Sequence, residues 1–570
     1  DDGLWGHGGD DDIEGGFGVD HIHGGEGSDV ITDMGTDVGA ADVLKGQGGD
    51  DMINGGMGFD FIFGGSGRDV LAGGDEAKDL FGGQGDDFIR AASGGGGVYY
   101  GNEGNDWLEG QGSMNTLTGD NSQLFFNSRI IGHDVMLAGE NDTDFDAESG
   151  DDIMTAGLGI NRFNGMAGFD WVSHKGSVNP VNADMNISIF ANQANLILRD
   201  RFDLVEGLSG WDGDDALTGR ENAIGAIEGP AANIAGPTSP IESYSNALLE
   251  QNVDRIDGLR ELVSHLQTFT ITQATTGETK LARMATNANQ DILLGGGGSD
   301  VMKGMAGDDI IDGDKWLNIR IELLDANGVA YATTDGLTQQ ITSLANGAVL
   351  FGGKTLQSAL FARDVKAADL NIVREILDGD VNDTAIDTAV YWDLRENYTL
   401  VKNADGSFSI THERNTPGPT DPTTGRELSN EGTDRLTNIE KLQFSDGDLY
   451  IGNVKATGAP VISDTTPTEN QTLTADPSSI VDLNGFGPDP MQYQWQSSTD
   501  GGTTWTNITG ATTATYRPGQ GQVGQLLRVQ VSFVDGMGYT ETLLSAATAA
   551  VVDSNVAPTG ALTISDTTPQ

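Results

Sequence analysis

The chain has 570 residues, and its 86 Asp and Glu residues against 30 Lys and Arg residues give a formal net charge of −56. So acidic a chain disfavours nucleic acid and anionic membranes as partners. It contains no cysteine and no apolar run of the ~18 residues that a membrane span needs, so the sequence predicts neither disulfides nor a transmembrane helix.

Three nonapeptides lie end to end at 46–72, with the sequences GQGGDDMIN, GGMGFDFIF and GGSGRDVLA. Each has several glycines, an aspartate at the sixth position and an aliphatic residue at the eighth. This spacing is typical of a parallel β-roll, in which glycines allow tight turns and each short strand points one aliphatic side chain inward. Ile53, Ile62 and Leu71 are therefore predicted to lie in a thin core.

The aspartate of each repeat falls in a turn, where carboxylate and carbonyl oxygens are the ligands that calcium prefers. Because two nonapeptides make one coil, Asp69 is predicted to stack with Asp51, and Asp60 to lie on the opposite edge. Stacked carboxylates repel by ~1 kcal/mol per pair at about 4 Å in water. Calcium between coils would turn this repulsion into cohesion, so metal binding and folding are expected to be one event.

The same pattern recurs along residues 1–314, with interruptions expected at about 119–145, 173–204 and 221–288. Lys78, Asn115 and Asn161 stand where the pattern has aspartate, and the site at Lys78 is either lost or re-formed by Asp75 or Asp79. The predicted calcium ligands are Asp11, Asp20, Asp29, Asp42, Asp51, Asp60, Asp69, Asp87, Asp106, Asp152, Asp170, Asp215, Asp291, Asp300 and Asp309.

Within the interruptions, alternating apolar residues at 185–190 predict a strand. Apolar residues at helical spacing in 241–267 predict a helix or a helical pair packed on the roll.

Residues 315–452 are predicted to form a β-rich capping domain that closes the open end of the roll, since an uncapped roll would expose strand edges. Alternation at 317–323 predicts a strand, and 356–361 and 367–377 resemble short helices. A hairpin is expected around the turn at 403–406, followed by short strands in 432–444.

Residues 457–555 are predicted to form an Ig-like β-sandwich, with alternating strands around Trp495 and at 527–533. The hexapeptide ISDTTP at 462–467 recurs at 564–569. Residues 556–570 are therefore expected to begin a second such repeat, and the chain to be part of a longer protein. The expected fold class is predominantly all-β: a parallel β-roll with insertions that include a helical one, a capping domain and a C-terminal sandwich.

The repeats at 1–314 resemble the RTX, or hemolysin-type, calcium-binding repeats of proteins exported by bacterial type I secretion. The segments FFNSRIIGHD (125–134), GENDTDFDAES (139–149), PIESYSNALL (240–249) and DKWL (314–317) resemble the region that follows an animal-type haem peroxidase domain in large secreted bacterial proteins. The resemblance spans about 1–452 and implies a peroxidase domain upstream. It places no catalytic residue and no haem in this chain, and His133 is read as a structural or loop histidine. The final unit is similar to Ig-like repeats of bacterial adhesins.

The leading hypothesis is a non-catalytic, calcium-binding structural region of a large secreted protein, extracellular or on the cell surface, that folds on calcium after type I secretion. One alternative is an accessory part of an extracellular haem peroxidase. Another is an adhesin that binds glycans or a surface.

Several local patterns have two readings. His21 and His23 either chelate a transition metal or flank core Ile22 from outside. Trp107, Trp171 and Trp211 either form a sugar-binding strip or are covered by the insertions. His412-Glu413 does not complete the zinc-peptidase motif, because position 416 is threonine.

Overall fold

The computed structural model describes residues 1–33, 40–76, 78–112, 114–120, 132–191, 196–221, 247–272, 279–284, 289–379, 384–414, 418–420, 427–555 and 560. They fall into two compact units, Asp1–Leu449 and Tyr450–Gln570. The first unit is built on two long sheets between which the chain alternates, so that each coil adds one strand to each sheet. This is the winding of a β-roll, and the fold class expected from the nonapeptides is confirmed.

The strands of the first sheet, sheet A, all run parallel. They are Gly3–Gly8, His21–Glu26, Val43–Gly48, Phe61–Ser66, Asp79–Gln84, Val98–Glu103, Asn115–Thr118, Thr143–Asp146, Arg162–Asn164 and Arg201–Asp203.

The second sheet, sheet B, is parallel except at its end, where a hairpin is added antiparallel. Its parallel strands are Asp12–Glu14, Val30–Thr32, Met52–Asn54, Val70–Ala72, Phe88–Arg90, Trp107–Glu109, Val135–Leu137, Ile153–Thr155, Trp171–Ser173, Gly207–Ser209, Ile292–Leu294, Ile310–Asp312 and Thr433–Thr437. The hairpin strands are Phe408–His412 and Tyr398–Lys402, preceded by the 3-10 turn Arg395–Asn397. The hairpin expected around 403–406 is confirmed.

A third sheet, sheet C, takes over opposite sheet B in the later coils. It comprises Asn182–Asp184, Ala216–Thr218, Val301–Lys303, Thr388–Val390, Lys441–Phe444 and Gly447–Tyr450. Strands from beyond residue 315 thus continue the coil in both sheets. The first compact unit runs to Leu449, and the structure has no unit boundary at residue 314.

The interior of the roll is made by the aliphatic or aromatic residue at the eighth repeat position. Ile53, Ile62 and Leu71 are all fully buried, as the spacing predicts. In the middle of the roll the same position in sheet A carries aromatic rings, and Phe145, Phe163 and Phe202 stack with ring centroids 5.0 and 5.3 Å apart.

From Met52–Asn54 to Ile310–Asp312, sheet B is buried on its outer face as well. There an antiparallel sheet, sheet D, and short helices cover the residues that precede the inward ones, such as Val70, Phe88 and Trp107. The strands of sheet D are Lys315–Leu324, Ala330–Thr334, Thr342–Ser343 and Leu370–Asp378. The helices are Leu259–Leu262 and Leu356–Phe361, with 3-10 segments Glu250–Arg255, Phe351–Gly353 and Ala367–Asp369. A small antiparallel sheet lies in the insertion expected at 221–288. Its strands are Leu248–Leu249, Thr279–Met284 and Phe269–Thr272.

Several sequence-based predictions differ from the structure. The strand expected at 185–190 is wrong, because the roll strand there is Asn182–Asp184 and the chain then turns. The helix expected at 367–377 is also wrong, since Leu370–Asp378 pairs along its length with Lys315–Leu324 and its β-branched residues suit a strand. The interruption at 119–145 is narrower than expected, because Val135–Leu137 and Thr143–Asp146 are roll strands.

The helical prediction for 241–267 is met only by the short segments within 250–262, and residues 222–246 lie outside the described part of the chain. The helix at 356–361 and the strand at 317–323 are confirmed.

The second unit contains two antiparallel sheets that share one hydrophobic cluster around fully buried Trp495. One sheet comprises Val461–Ile462, Leu473–Asp476 and Thr515–Tyr516. The other comprises Thr506–Asn507, Gln492–Ser498, Leu526–Val534 and Thr540–Leu544. The 3-10 turn Gln520–Gln522 precedes the longest strand. Of residues 556–570, the structure describes only residue 560.

Candidate calcium ladders

Aspartates of successive coils are linked into continuous rows by one repeated hydrogen bond. The amide N–H of each aspartate donates to Oδ1 of the aspartate one coil later, as from Asp51 to Asp69 at 2.8 Å and from Asp69 to Asp87 at 2.8 Å. The stacking predicted for Asp51 and Asp69 is confirmed. This row, the long ladder, comprises Asp11, Asp29, Asp51, Asp69, Asp87, Asp106, Asp134, Asp152 and Asp170, and ends on Glu206.

Two shorter rows are built in the same way. The short ladder, Asp20, Asp42 and Asp60, is separate from the long one, so Asp60 belongs to a different row from Asp51 and Asp69, as predicted. The late ladder links Asp215, Asp300 and Asp387 and ends on Glu440. In a further row, Asp291 donates to Asp309 and Asp309 to Asp434, at 2.8 and 3.1 Å.

The second oxygen of most ladder carboxylates is buried without a hydrogen-bond partner among the described residues. Each of these carboxylates accepts an N–H at Oδ1, while its Oδ2 is left over. They are Asp20, Asp29, Asp42, Asp51, Asp69, Asp87, Asp106, Asp134, Asp152, Asp170, Asp300 and Asp309. A buried, unsatisfied carboxylate oxygen is costly, and a repeated row of them requires a compensating group.

At most of these aspartates a glycine leaves space beside that oxygen, usually five residues before the aspartate, whereas Ala147 stands in that position before Asp152. A Cβ placed on Gly64 would lie 2.3 Å from Asp69 Oδ2 and 2.5 Å from the carbonyl oxygen of Gly82. A Cβ on Gly46 would meet Asp51 Oδ2 and the carbonyl oxygen of Gly64 in the same way, at 2.1 and 2.6 Å. The missing side chain therefore opens a small cradle lined by one carboxylate oxygen and one main-chain carbonyl.

The electrostatics of the ladders favour the binding of a positive charge. Burial raises the pKa of Asp51 to about 7, although the N–H of Asp29 opposes the shift. Burial likewise raises the pKa of Asp69 to about 8 and that of Asp300 to about 8. At Asp87, burial and then the charge of Asp69 hold the pKa well above its usual range. Protein alone thus disfavours the ionised ladder.

These features suit a hard divalent cation. Calcium takes carboxylate and main-chain carbonyl oxygens together, and the cradles offer both. Among the described residues, no three His, Asp or Glu side chains converge on one point that could hold a metal. A cation in the ladders would therefore depend on carbonyls and stacked single carboxylates.

Three of the sequence-predicted ligands have other partners. Asp215 accepts N–H groups at both oxygens, from Val181 and Trp211. Asp291 is held at both oxygens by Arg220, and Asp60 Oδ2 lies 3.1 Å from Lys78 Nζ. Asp75 and Asp79, the candidates for re-forming a site at Lys78, each accept one hydrogen bond at Oδ1, from the Ser93 hydroxyl and from the Val98 amide.

We call each acidic residue of a ladder a rung. Sequence reasoning missed several rungs, namely Asp134, Asp387, Asp434, Glu206 and Glu440. Asp134-Val-Met136 and Asp434-Arg-Leu436 keep the aspartate and the inward residue two positions later, which is the signal that could have identified them. Sequence reasoning did not find them because the two glycines that begin a nonapeptide repeat are absent before each of them. Asn161 takes a rung with its side-chain oxygen, which accepts from Thr143.

The tryptophan and histidine patterns also have structural outcomes. Trp107 and Trp171 are buried in one cluster with residues of sheet D and of the insertion around 248–263, and Trp211 packs edge-on against Trp316 at 4.4 Å. These residues are covered, but by sheet D as well as by the insertion that the sequence led us to expect. His21 and His23 flank fully buried Ile22 on the outer face of sheet A, as the second reading held.

Histidines outside the ladders have structural partners. His412 is buried between Asp393, at 3.3 Å from its Nε2, and the amide of Glu431, which donates to its Nδ1. His133 Nδ1 accepts from the amide of Asp151 at 2.8 Å.

Comparison with known families identifies the repeats. Residues 1–32, 39–62, 54–89, 63–98, 92–122 and 286–315 match the family described as RTX calcium-binding nonapeptide repeat (4 copies). Residues 456–553 match a domain of unknown function, DUF8696. No curated protein matches the chain. The chain therefore carries RTX calcium-binding nonapeptide repeats, and the matched segments include the short ladder and the long ladder from Asp11 to Asp106. No helix in the described part of the chain is long and apolar enough to cross a membrane.

Proposed function

We propose that the first unit is a calcium-stabilised structural region of a secreted bacterial protein, and that calcium ions bound along the ladders hold its coils together. The observation that carries this proposal is the row of buried Oδ2 atoms, each without a hydrogen-bond partner among the described residues and most of them beside a glycine cradle. The match to RTX calcium-binding repeats supports it from an independent direction.

The proposed role of calcium follows from the net charge. With a formal charge of −56, the chain resists compaction, and the ladders place many carboxylates one coil apart in the interior. A divalent ion between two rungs would neutralise two carboxylates that otherwise repel. Because the ligands come from different coils, the ion would bind well only to the wound chain, so binding and folding would be coupled.

Folding that is coupled to calcium binding would let the protein be exported as an unfolded chain. Extracellular calcium modules typically have dissociation constants on the order of 10⁻⁴ to 10⁻³ M. At such affinities the repeats would stay unwound in a calcium-poor cytoplasm, pass through type I secretion machinery as an open chain, and wind once outside. We therefore place the protein outside the cell or on its surface.

The second unit is proposed to be an Ig-like repeat that extends the protein from the cell or into the matrix. Two antiparallel sheets sharing a core around Trp495 support this, as does the recurrence of ISDTTP at the end of the chain. The resemblance of 1–452 to the region after a haem peroxidase domain adds the proposal that such a domain lies upstream. In this chain the repeats have a structural role, and no residue is assigned a catalytic role.

Circular dichroism of the full chain tests the proposal. Protein freed of metal with a chelator should lose β-structure signal and regain it on addition of calcium in the millimolar range, with magnesium at equal concentration as the control. Magnesium demands a tighter octahedral site and should be less effective. A spectrum that is the same with and without calcium would remove the proposed function.

A further inference from the structure

The short ladder ends at a lysine in place of the next aspartate. Lys78 is fully buried at its side chain, as is its partner Asp60, and its Nζ lies 3.1 Å from Asp60 Oδ2. The ammonium also donates to the carbonyl oxygen of Gly58 at 2.7 Å and to that of Asp75. Two hydrogen-bonded carbonyl oxygens and one ion-paired carboxylate oxygen therefore surround the ammonium.

The acceptors of Lys78 are of the kind that calcium uses. One is the second carboxylate oxygen of a ladder aspartate, the atom that is left over on the other rungs. The other two are carbonyl oxygens of the turns, 58 and 75, that lead into rungs 60 and 78. A Cβ on Gly55, five residues before Asp60, would meet Lys78 Cε at 2.9 Å and Asp60 Oδ2 at 3.1 Å. The lysine side chain thus enters the cradle itself.

A second side-chain cation lies where the long ladder is interrupted. Arg220 Nη1 is 3.1 Å from Glu206 Oε1, and its Nε is 2.7 Å from Asp291 Oδ1. Its own amide donates to Asp291 Oδ2 at 2.6 Å, and its Nη2 donates to the carbonyl oxygen of Gln290 at 3.0 Å. The guanidinium is buried and joins the end of one row of carboxylates to the start of the next.

We propose that Lys78 and Arg220 are tethered cations that take the place of calcium at two positions of the ladders. This inference rests on the proposed function, since it requires the other positions to bind calcium. A tethered charge does not dissociate, so these two coils stay neutralised at any calcium concentration. At these two positions, successive coils would then be held together without a metal ion.

The test is to count bound calcium ions on the full chain by native mass spectrometry and calorimetric titration. K78D restores an aspartate to the rung, and K78A empties the position while leaving Asp60 Oδ2 and the two carbonyls. Both variants should bind at least one more ion than the wild type. K78M, which fills the space without charge, should keep the wild-type number but melt at a lower temperature than the wild type in a chelator.

K45D provides a matched control, because it makes the same change of charge on the outer face of sheet A, where Lys45 lies over the ring of Phe63. It should leave the number of ions unchanged. An unchanged number in K78D and K78A, with a wild type that binds calcium, would overturn the tethered-cation inference alone. Failure of K78D to fold in saturating calcium would contradict it too, because calcium should replace the lysine. A wild type that binds no calcium would overturn the proposed function itself.

Discussion

The amide of Asp51 donates a hydrogen bond to Oδ1 of Asp69, 2.8 Å away and one coil further along the chain. The two oxygens of the Asp69 carboxylate therefore differ: Oδ1 is held by protein, and Oδ2 faces a cradle made by Gly64. This asymmetry recurs along the ladders. It separates the part of the carboxylate that positions the rung from the part available to a cation, and each can be tested.

Asp51 and its neighbour Asp50 form a matched pair. Both accept a main-chain N–H one coil away, but Asp51 is buried with Oδ2 left over, whereas Asp50 is partly exposed. At pH 8, D51N should stabilise the metal-free protein by on the order of 1 kcal/mol, since a buried unpaired charge costs more than an amide. In saturating calcium the same variant should be less stable than the wild type.

Thermal unfolding followed by circular dichroism, with and without calcium, measures both effects. D50N should change little under either condition. If D51N changes the thermal stability in the same direction with and without calcium, the Asp51 carboxylate acts only as a hydrogen-bond acceptor.

Gly64 tests the cradle. G64A would place a methyl group 2.3 Å from Asp69 Oδ2 and 2.5 Å from the Gly82 carbonyl oxygen, so it should remove one calcium ion and lower stability by ~1 to 3 kcal/mol, as overpacking does. G8A is the control, because its nearest neighbour would be 3.8 Å away. Calorimetric titration gives the number of ions. Full calcium binding by G64A would show that the cation does not use this space.

The pH dependence of the metal-free protein follows from the raised pKa values of the ladder. An unfolded aspartate has a pKa near ~3.9, whereas in the folded chain burial raises the pKa of Asp51 to about 7 and that of Asp69 to about 8. The folded state therefore binds more protons over this interval, and its stability falls as pH rises.

Denaturant titrations in the absence of metal should consequently show greater stability at pH 5 than at pH 8.5. Saturating calcium should remove that loss, and calcium affinity should increase with pH because bound ions displace protons. Metal-free stability that rises over the same interval would contradict the assignment of these carboxylates as uncompensated.

Glu109 tests how sheet D is held on the roll. Its Oε1 accepts from Trp107 Nε1 at 2.8 Å and from the amide of Leu337 at 2.6 Å, so one buried oxygen joins the two layers. E109A leaves both donors unsatisfied and should cost about 2 kcal/mol or more. E109Q keeps an acceptor and should stay close to the wild type. Equal losses in both variants, measured by denaturant unfolding, would mean that the charge rather than the acceptor matters.

The second unit should unfold independently of calcium, because its core is an ordinary hydrophobic one around Trp495. W495A should lower its stability by ~3 to 5 kcal/mol. In calorimetry of the full chain, one transition should shift on addition of a chelator and another should shift only with W495A. A second transition that follows the chelator would contradict this.

The repeats could be predicted from sequence because each signal is local. Asp51 and Ile53 lie two residues apart, and their spacing alone assigns one to the turn and the other to the core. Asp134 and Asp434 keep this spacing but lack the glycines that make it recognisable, and the hydrogen-bond partners of these two residues and of Asp387 lie one coil away across long intervening segments.

The wrong helix at 367–377 has a similar cause. Its apolar residues fit a helical period, but pairing with 315–324, more than 40 residues earlier in the chain, decides its conformation. The position of the Lys78 ammonium could not be predicted for a related reason: nothing in the local sequence shows that it turns back to the Asp60 carboxylate.

The most direct test of the account is an anomalous difference map from crystals of the full chain grown with calcium. It should show a row of peaks beside the Oδ2 atoms of the long ladder, as at Asp51, Asp69 and Asp87, and none at Lys78 Nζ. A map without peaks between these coils, from a roll that is nonetheless intact, would contradict the claim that calcium holds it together.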